Sequence, residues 1–453
     1  MKNVIIHGDC LEVLRKMDDY SVDSVVTDPP YGLSKEPNIS EVLAKWLAGE
    51  PYDHGHGGFM GKAWDSFVPH PDVWKEIYRV LKPGGHALVF AGTRTQDLMT
   101  VALRLGGFEI RDVIEWLYFS GFPKSMDVSK AFDKRAGAER IVVAEGSTVK
   151  RMIPGATQDK TGSWIKDDGR TFTQTDTLPA TDLAKRWEGW GTALKPAHEP
   201  IIVARKPLAG TVAETVEKYG TGAINIDDCR VAITDESERE KYRKEWDRTQ
   251  SAAMEGGTNA FGKGLRPIDL SDRKPVGRFP ANCITLEDDA FFSPYFNVEE
   301  RLAEVGNVTP HEICKKASKS DRNSGWQGSE IAIEPKFTRT MGDGIGARPH
   351  NESQPTAYNR NNHPTVKPIE LMAWLVRLVT PPGGTTLDPF AGSGTTLVAA
   401  RREGFDSLGV EQSQEYCEII AARTEFEIIE GSEVGEISSR QTLVDITKEV
   451  AHV

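Results

Sequence analysis

An open, doubly wound, mostly parallel α/β sheet is the fold class this chain predicts, and three stretches predict it. The first is Val25-Val26-Thr27 running into Asp28-Pro29-Pro30-Tyr31, a short buried strand with a rigid tetrapeptide at its carboxyl end. The second is Thr385-Thr386-Leu387-Asp388-Pro389-Phe390-Ala391-Gly392-Ser393-Gly394-Thr395-Thr396, a β-branched run and a glycine turn, after which Leu397-Val398-Ala399-Ala400 opens a helix. The third is Ser407-Leu408-Gly409-Val410, a strand ending in Glu411, 23 residues beyond Asp388. Strand, glycine turn, helix, strand is a parallel unit, and ligands of such sheets sit outside the carboxyl ends of the strands.

The remaining elements follow in order. Residues 3–7 read as a strand and 9–17 as a helix with Leu11, Leu14 and Met17 on one face. Strand 22–27 then delivers Asp28. Residues 33–68 are Gly-rich and polar, notably Asp53-His54-Gly55-His56-Gly57-Gly58, and read as a mobile loop that packs no core. A lone His-x-His in such a loop is solvated more often than it binds metal, so no metal is expected. Residues 71–81 form a helix stopped by Pro83-Gly84-Gly85, and 86–91 a buried strand. Helix 94–105, strand 109–118 and a core strand at Ile201-Ile202-Val203-Ala204 follow. Helix 367–379 aligns Leu371, Trp374, Leu375 and Leu378 for the core. Between these elements, residues 125–187 and 208–362 are polar insertions, and the chain after about 427 is an acidic, peripheral tail.

Chemistry concentrates in the tetrapeptide and the glycine turn. Two prolines remove two N–H donors and fix φ, which holds Asp28, the proline carbonyls and the Tyr31 ring in place. A carboxylate and a carbonyl together accept both hydrogens of an exocyclic amino group, while an aromatic ring stacks on the base carrying it. That set suits chemistry at the amino nitrogen of a flipped nucleobase; the plain alternative is Asp-Pro turn chemistry. The glycine turn lacks a Lys after Gly394, so it is no phosphate loop, and it lacks the G-x-G-x-x-G spacing of a dinucleotide site. Glu411 is placed to bind ribose hydroxyls.

Taken together, the two motifs resemble those of the S-adenosylmethionine-dependent amino-group DNA methyltransferases, which act at adenine N6 or cytosine N4. The tetrapeptide resembles their catalytic motif and Asp388 to Gly394 their cofactor loop. The catalytic motif comes first here, as in the circularly permuted β group of bacterial and phage type. His7-Gly8-Asp9-Cys10 resembles the segment that reaches the cofactor adenine, and Arg79-Val80-Leu81-Lys82-Pro83-Gly84-Gly85 the turn after the catalytic motif. Gly107-Phe108-Glu109-Ile110-Arg111-Asp112 and Gly121-Phe122-Pro123-Lys124-Ser125 resemble the next strand and its exit. His363-Pro364-Thr365-Val366-Lys367-Pro368 resembles the motif that holds the methionine end. The likeness covers about 1–125, 187–207 and 363–425.

That resemblance implies a Rossmann-like methyltransferase sheet with an inserted target-recognition region. Residues 1–124 are the catalytic half, 125–187 a candidate DNA-contacting hairpin, and 188–207 a return strand. Residues 208–362 are the recognition region, 363–426 the cofactor half, and 427–453 the tail. It implies Asp28, Pro29, Pro30 and Tyr31 as catalytic residues. The implied cofactor set is Asp9, Cys10, Asp28, His363, Thr365, Lys367, Asp388, Phe390, Ala391, Gly392, Ser393, Gly394, Thr395 and Glu411. An Asp at position 28 leans toward adenine and a Ser would lean toward cytosine N4, the close rival. A non-catalytic DNA-binding subunit of the same fold is the other alternative, and the intact Asp28, Tyr31 and Gly392-Ser393-Gly394 argue against it. A cytosine C5 mechanism needs a Pro-Cys nucleophile, which the chain lacks.

Composition constrains partners. No apolar run approaches the ~20 residues of a membrane span, and the amino terminus is too short in apolar residues for a signal peptide. Cys10, Cys229, Cys283, Cys314 and Cys417 show no C-x-x-C spacing, so neither zinc nor a disulfide framework is indicated and a reducing cytosol is the expected compartment; the family resemblance implies the cytoplasm of a bacterial or phage-infected cell, at the nucleoid. The net charge of −12 opposes indiscriminate attraction to phosphate. Local strips run the other way. Residues 124–206 carry 15 bases and 11 acids, and Lys315, Lys316, Lys319 and Arg322 crowd into eight residues with one acid. That last strip is the candidate DNA-binding surface, against the plain reading of a solvated face. Expected partners are double-stranded DNA, a second copy of the chain and a cognate restriction endonuclease.

Overall fold

In a computed structural model, residues 2–32, 36–55, 66–118, 125–150, 171–194, 196–232, 240, 244, 277–284 and 366–435 are described. The chain divides into two units, one of residues 1–120 and 197–453, the other of residues 121–196.

The larger unit is built on a nine-stranded sheet among the described residues. Its amino-terminal elements are β1 (Val4–His7), α1 (Cys10–Leu14), β2 (Val22–Thr27), α2 (Ile39–Ala48), α3 (Pro71–Val80), β3 (Leu81–Phe90), α4 (Gln96–Leu105) and β4 (Glu109–Leu117). The smaller unit contributes α5 (Val128–Ala136), β5 (Ile141–Lys150), β6 (Thr171–Leu178) and α6 (Asp182–Arg186). The larger unit resumes with β7 (His198–Arg205), α7 (Val212–Tyr219), β8 (Val231–Ala232), β9 (Gly277–Arg278) and β10 (Cys283–Ile284). It closes with α8 (Ile369–Val379), β11 (Thr385–Asp388), α9 (Thr395–Glu403), β12 (Asp406–Glu411), α10 (Gln414–Thr424) and β13 (Glu427–Glu430).

Strand order is β10-β4-β7-β3-β2-β11-β12-β1-β13. Every pairing is parallel except the two made by β7, which lies antiparallel between β3 and β4. The chain leaves β11 toward β12, whereas β1 hands over to β2 on the other side of β11. The crevice between β2 and β11 is therefore the switch point where such sheets bind ligands. The middle strands β2, β3 and β11 are covered on both faces, which is why they read as near-continuous apolar or β-branched runs. The helices show the complementary stripe: Val73, Trp74, Ile77 and Val80 of α3 are buried, with Pro71 in the first turn and the His70 ring accepting from the Asp72 N–H.

Several elements differ from the sequence reading. The helix expected at 9–17 closes after Leu14. The strand expected from 86 starts at Leu81 and runs through Pro83-Gly84-Gly85. Glycine permits this because Gly84 has φ +80° and a Cβ there would meet Thr215 Cγ2 at 2.8 Å. Helix α7, expected within a separate recognition region, packs on β3, and β10 from the same region joins the sheet edge beside β4. The expected peripheral tail begins with β13, which extends the sheet parallel to β1, and Val434 beyond it is buried. Lys206, just after β7, donates to the carbonyls of Tyr78 at 2.6 Å and Leu81 at 2.7 Å, its ammonium lying over the Tyr20 and Tyr78 rings. Burial lowers that ammonium to about 8.

The smaller unit contains an antiparallel strand pair. Strands β5 and β6 pair antiparallel, and Asp133 of α5 anchors its base by accepting from the Ala180 and Thr181 N–H groups and from Arg140. Among the described residues no helix is long and apolar enough to cross a membrane.

The segment expected to be a coreless loop at 33–68 instead contains α2. Asn38 caps it, Gly49 ends it with φ +74°, and Val42 and Trp46 enter the main core. Burial of those two side chains outweighs the turn-forming composition around them. Trp46→Ala is predicted to lower the unfolding free energy by about 3–5 kcal/mol. Urea unfolding of the two proteins checks this; an unchanged midpoint would restore the loop reading.

Candidate active site

Four acidic residues stand at the carboxyl edges of four adjacent strands: Asp28 after β2, Asp388 at the end of β11, Glu411 at the end of β12 and Asp9 after β1. Asp9 caps α1 through the Leu11 and Glu12 N–H groups at 3.0 and 3.1 Å. Cys10 follows it, with its thiol pushed up to about 12 by burial and by Asp9, so it stays a neutral thiol. Asp388 accepts from Thr27 Oγ1 at 2.7 Å, Thr396 Oγ1 at 2.6 Å and the Phe390 N–H at 3.2 Å. Burial raises its carboxyl to about 6.

The glycine turn is shaped for close approach. Gly392 has φ +55° and donates its N–H to Glu411 Oε2 at 2.9 Å; Glu411 Oε1 accepts from the Ser413 N–H at 2.8 Å. Burial lifts the Glu411 carboxyl to about 7, against the pull of these two N–H groups. Gly394 has φ +75°, and a Cβ there would meet the Ile420 side chain at 2.7 Å. Behind the turn, the buried Arg423 guanidinium donates to the Ser393 carbonyl at 2.5 Å. Ala391 and Thr395 complete the turn as buried residues, and Phe390 lies partly buried against the main core. Three carboxylates around a turn opened by two glycines do not suit a pyrophosphate.

Around Asp28 the structure assembles more than the tetrapeptide. The Tyr31 hydroxyl lies 2.7 Å from Asp28 Oδ1 and 3.1 Å from Glu199 Oε2. Lys367 Nζ donates to Asp28 Oδ2 at 2.5 Å and lies 3.3 Å from Glu199 Oε2. Its ammonium also sits 4.8 Å from the Phe90 ring centre. Thr95 Oγ1 donates to the Tyr31 carbonyl at 2.6 Å, fixing the end of the tetrapeptide. Tyr118 bonds Glu199, and burial together with that carboxylate raises its phenol well above the ordinary range. The side chains of Asp28, Glu199 and Lys367 are 18%, 14% and 8% exposed. Burial pushes the Asp28 carboxyl up, Lys367 pulls it down and Glu199 adds to the rise. The two carboxylates overcome desolvation and hold Lys367 charged.

Lys367, expected beside the cofactor's methionine end, thus has its ammonium on Asp28. His363, Thr365, His56 and the strip of Lys315, Lys316, Lys319 and Arg322 lie outside the described residues. His54 stacks on Phe67 at 5.4 Å, and among the described residues no cluster suits a metal. The sequence reading missed Thr27, Tyr118 and Glu199. An acid one proline ahead of the apolar run Ile201–Ala204 was the available signal. It carries meaning only once β7 is known to run antiparallel, which brings its first residues to the edge where the parallel strands end.

A family profile described as DNA methylase, of the N6/N4 methyltransferase kind, matches residues 22–422. The chain is 20% identical over 436 residues to the type II methyltransferase M.HindIII of Haemophilus influenzae, covering 91% of this chain and 92% of that protein. It is 23% identical over 438 residues to the type II methyltransferase M.SfiI of Streptomyces fimbriatus, covering 90% and 88%. Among solved structures, the cytosine-N4-specific PvuII DNA methyltransferase aligns with 96% of this chain and 91% of its own at 14% identity and a TM-score of 0.37.

The raised carboxyls set a pH dependence. Glu411 has a folded value of about 7 against 4.5 when unfolded, so the folded state holds the proton more tightly. Its contribution to stability is full below pH 4.5 and is lost as pH rises through 7. Asp388 acts likewise between 3.8 and about 6. Urea unfolding of the ligand-free protein at pH 5, 6, 7 and 8 is expected to show this decline, and Glu411→Gln to flatten it. An equal slope in both proteins would contradict the burial of Glu411.

Proposed function

The chain belongs to the N6/N4 DNA methylase family and is an S-adenosylmethionine-dependent amino-group DNA methyltransferase; within that class we propose that its target is N6 of an adenine flipped out of double-stranded DNA. The observation that carries the choice of base is a carboxylate, not a hydroxyl, at position 28, held at the switch point beside Tyr31.

The residues at the glycine turn fit the cofactor. Gly392 and Gly394 leave backbone where side chains would intrude, Glu411 would accept the ribose hydroxyls, and Asp9 with Cys10 would border the adenine. Phe390, Ala391, Ser393 and Thr395 would line the turn, and His363 and Thr365 would hold the methionine end. When bound, S-adenosylmethionine supplies an electrophilic methyl group on a positively charged sulfur.

The chain's own contribution is positioning and charge. An amino group conjugated with its ring is a poor nucleophile because its lone pair is delocalised. Asp28 and the Pro29 carbonyl accept the two amino hydrogens, which turns the lone pair out of conjugation and aims it at the methyl group. Tyr31 stacks on the ring, and its backbone is fixed by Thr95. Positive charge develops on the nitrogen beside Asp28 and Glu199, where a buried negative charge supports it more strongly than water does. The surplus proton passes to an Asp28 carboxylate oxygen, whose affinity for it is raised by burial. Target reading falls to the part of residues 208–362 that carries Lys315, Lys316, Lys319 and Arg322, and the hairpin of the smaller unit contacts the duplex.

Incubation with unmethylated DNA and methyl-labelled S-adenosylmethionine, followed by digestion to nucleosides and mass spectrometry, tests the target. Labelled N6-methyldeoxyadenosine is expected. Labelled N4-methyldeoxycytidine would overturn the adenine reading, and label in neither would overturn transfer to an amino group.

A further inference from the structure

Both oxygens of Asp28 are occupied. Oδ1 takes the Tyr31 hydroxyl and Oδ2 takes the Lys367 ammonium. A base whose amino group is to be held by Asp28 must displace at least one of them. Displacing a buried ammonium from its carboxylate is prohibitive unless another anion receives it. Glu199 is that anion: its Oε2 lies 3.3 Å from Lys367 Nζ and 3.1 Å from the Tyr31 hydroxyl, the same two donors.

We propose that Glu199 is a positioning residue for methyl transfer, receiving the Lys367 ammonium and the Tyr31 hydroxyl when the target's amino group claims Asp28. The proposal rests on reading Asp28 as the acceptor of that amino group. The fold builds Glu199 for the task. It is the second residue of β7, at the sheet edge where β2 ends, opposite Trp116 of β4 in the antiparallel register, and the Tyr118 hydroxyl bonds it from the end of β4. Asp28 and Glu199 together outnumber Lys367 by one charge. The site therefore stays anionic after the handover, when positive charge appears on the nitrogen. Handover also leaves Tyr31 tethered at its hydroxyl while its ring meets the base.

Among the described residues, the charged and titratable groups facing Asp28 are Lys367 from the segment before α8, Tyr31 from its own segment, Glu199 from β7 and Asp388 from β11. Removing the Glu199 charge takes away one group that raises Asp28, so Asp28 ionises at lower pH.

Glu199→Gln tests this with initial rates on unmethylated DNA from pH 5 to 9 and calorimetric titration of S-adenosylmethionine. The expected result is a kcat lowered roughly 10–100-fold, the coupling typical within one buried ion network. The KM for DNA and the cofactor affinity stay within about twofold, and the acidic limb of kcat/KM moves to lower pH. Glu199→Asp keeps the charge but shortens the reach, so it is expected to recover part of kcat with the limb near its wild-type position. Wild-type kcat and an unmoved limb in Glu199→Gln would overturn the proposal. So would a loss of cofactor affinity in step with kcat, which marks a structural role. If Glu199→Gln does not fold, Glu199→Asp decides: reduced kcat with intact cofactor affinity supports the handover, and wild-type kcat overturns it. A wild-type protein that transfers no methyl group to DNA would instead sink the reading of Asp28 itself.

Discussion

A buried hydrogen bond joins the strand that carries the tetrapeptide to the strand that carries the glycine turn. Thr27, the last residue of β2, donates to Asp388, the last residue of β11, across 361 residues of chain. Both groups are buried, and the same carboxylate also receives Thr396 from α9 and the Phe390 N–H from the glycine turn. A buried carboxylate with three donors holds all of them, because leaving it unsatisfied costs more than each bond contributes. Asp28 follows Thr27 directly. The tetrapeptide that would hold the base and the turn that would hold the cofactor thus both adjoin the Thr27–Asp388 pair, and the parallel register of β2 on β11 cannot slip without turning Thr27 away from its partner.

Around that junction the charges divide the labour. Asp9, Asp388 and Glu411 form an acidic edge beside the glycine turn, and Arg423 supports the turn from below. Beside the tetrapeptide, among the described residues, the Lys367 ammonium balances two carboxylates in a mostly buried cluster. In so little water the pairing is strong and its rearrangement specific, so a change of partner by Lys367 is a defined event and not a gradual drift. The aromatic rings of Tyr31 and Phe90 border the ammonium, which lets it remain charged between two positions.

Much of this was legible in the residues. Asp-Pro-Pro-Tyr after an apolar run, the glycine turn after β-branched residues, and an acid one strand later each declare local structure with a physical cause. What escaped depends on packing between distant segments. Helix α2 is a short amphipathic piece in a Gly-rich stretch, stabilised by burying Val42 and Trp46 and not by propensity. Strand β13 reads as part of an acidic tail because an edge strand exposes half its residues; only its ladder to β1 gives it a place. Glu199 looks like an ordinary strand-flanking acid until the direction of β7 is known. The role of Lys367 was legible only as far as its segment, because its partner is chosen by the fold.

The most direct measurement pairs turnover with calorimetric S-adenosylmethionine binding in Asp28→Ala. Asp28 is hydrogen-bonded to Tyr31 and Lys367, whereas the glycine turn is held by Asp388, Glu411 and Arg423, so the turn should remain built. Methyl transfer to DNA should fall by ~10²–10³-fold or more while cofactor affinity stays near that of the wild type. Near-normal turnover, or loss of cofactor binding together with turnover, would contradict the division of the site between the tetrapeptide and the glycine turn.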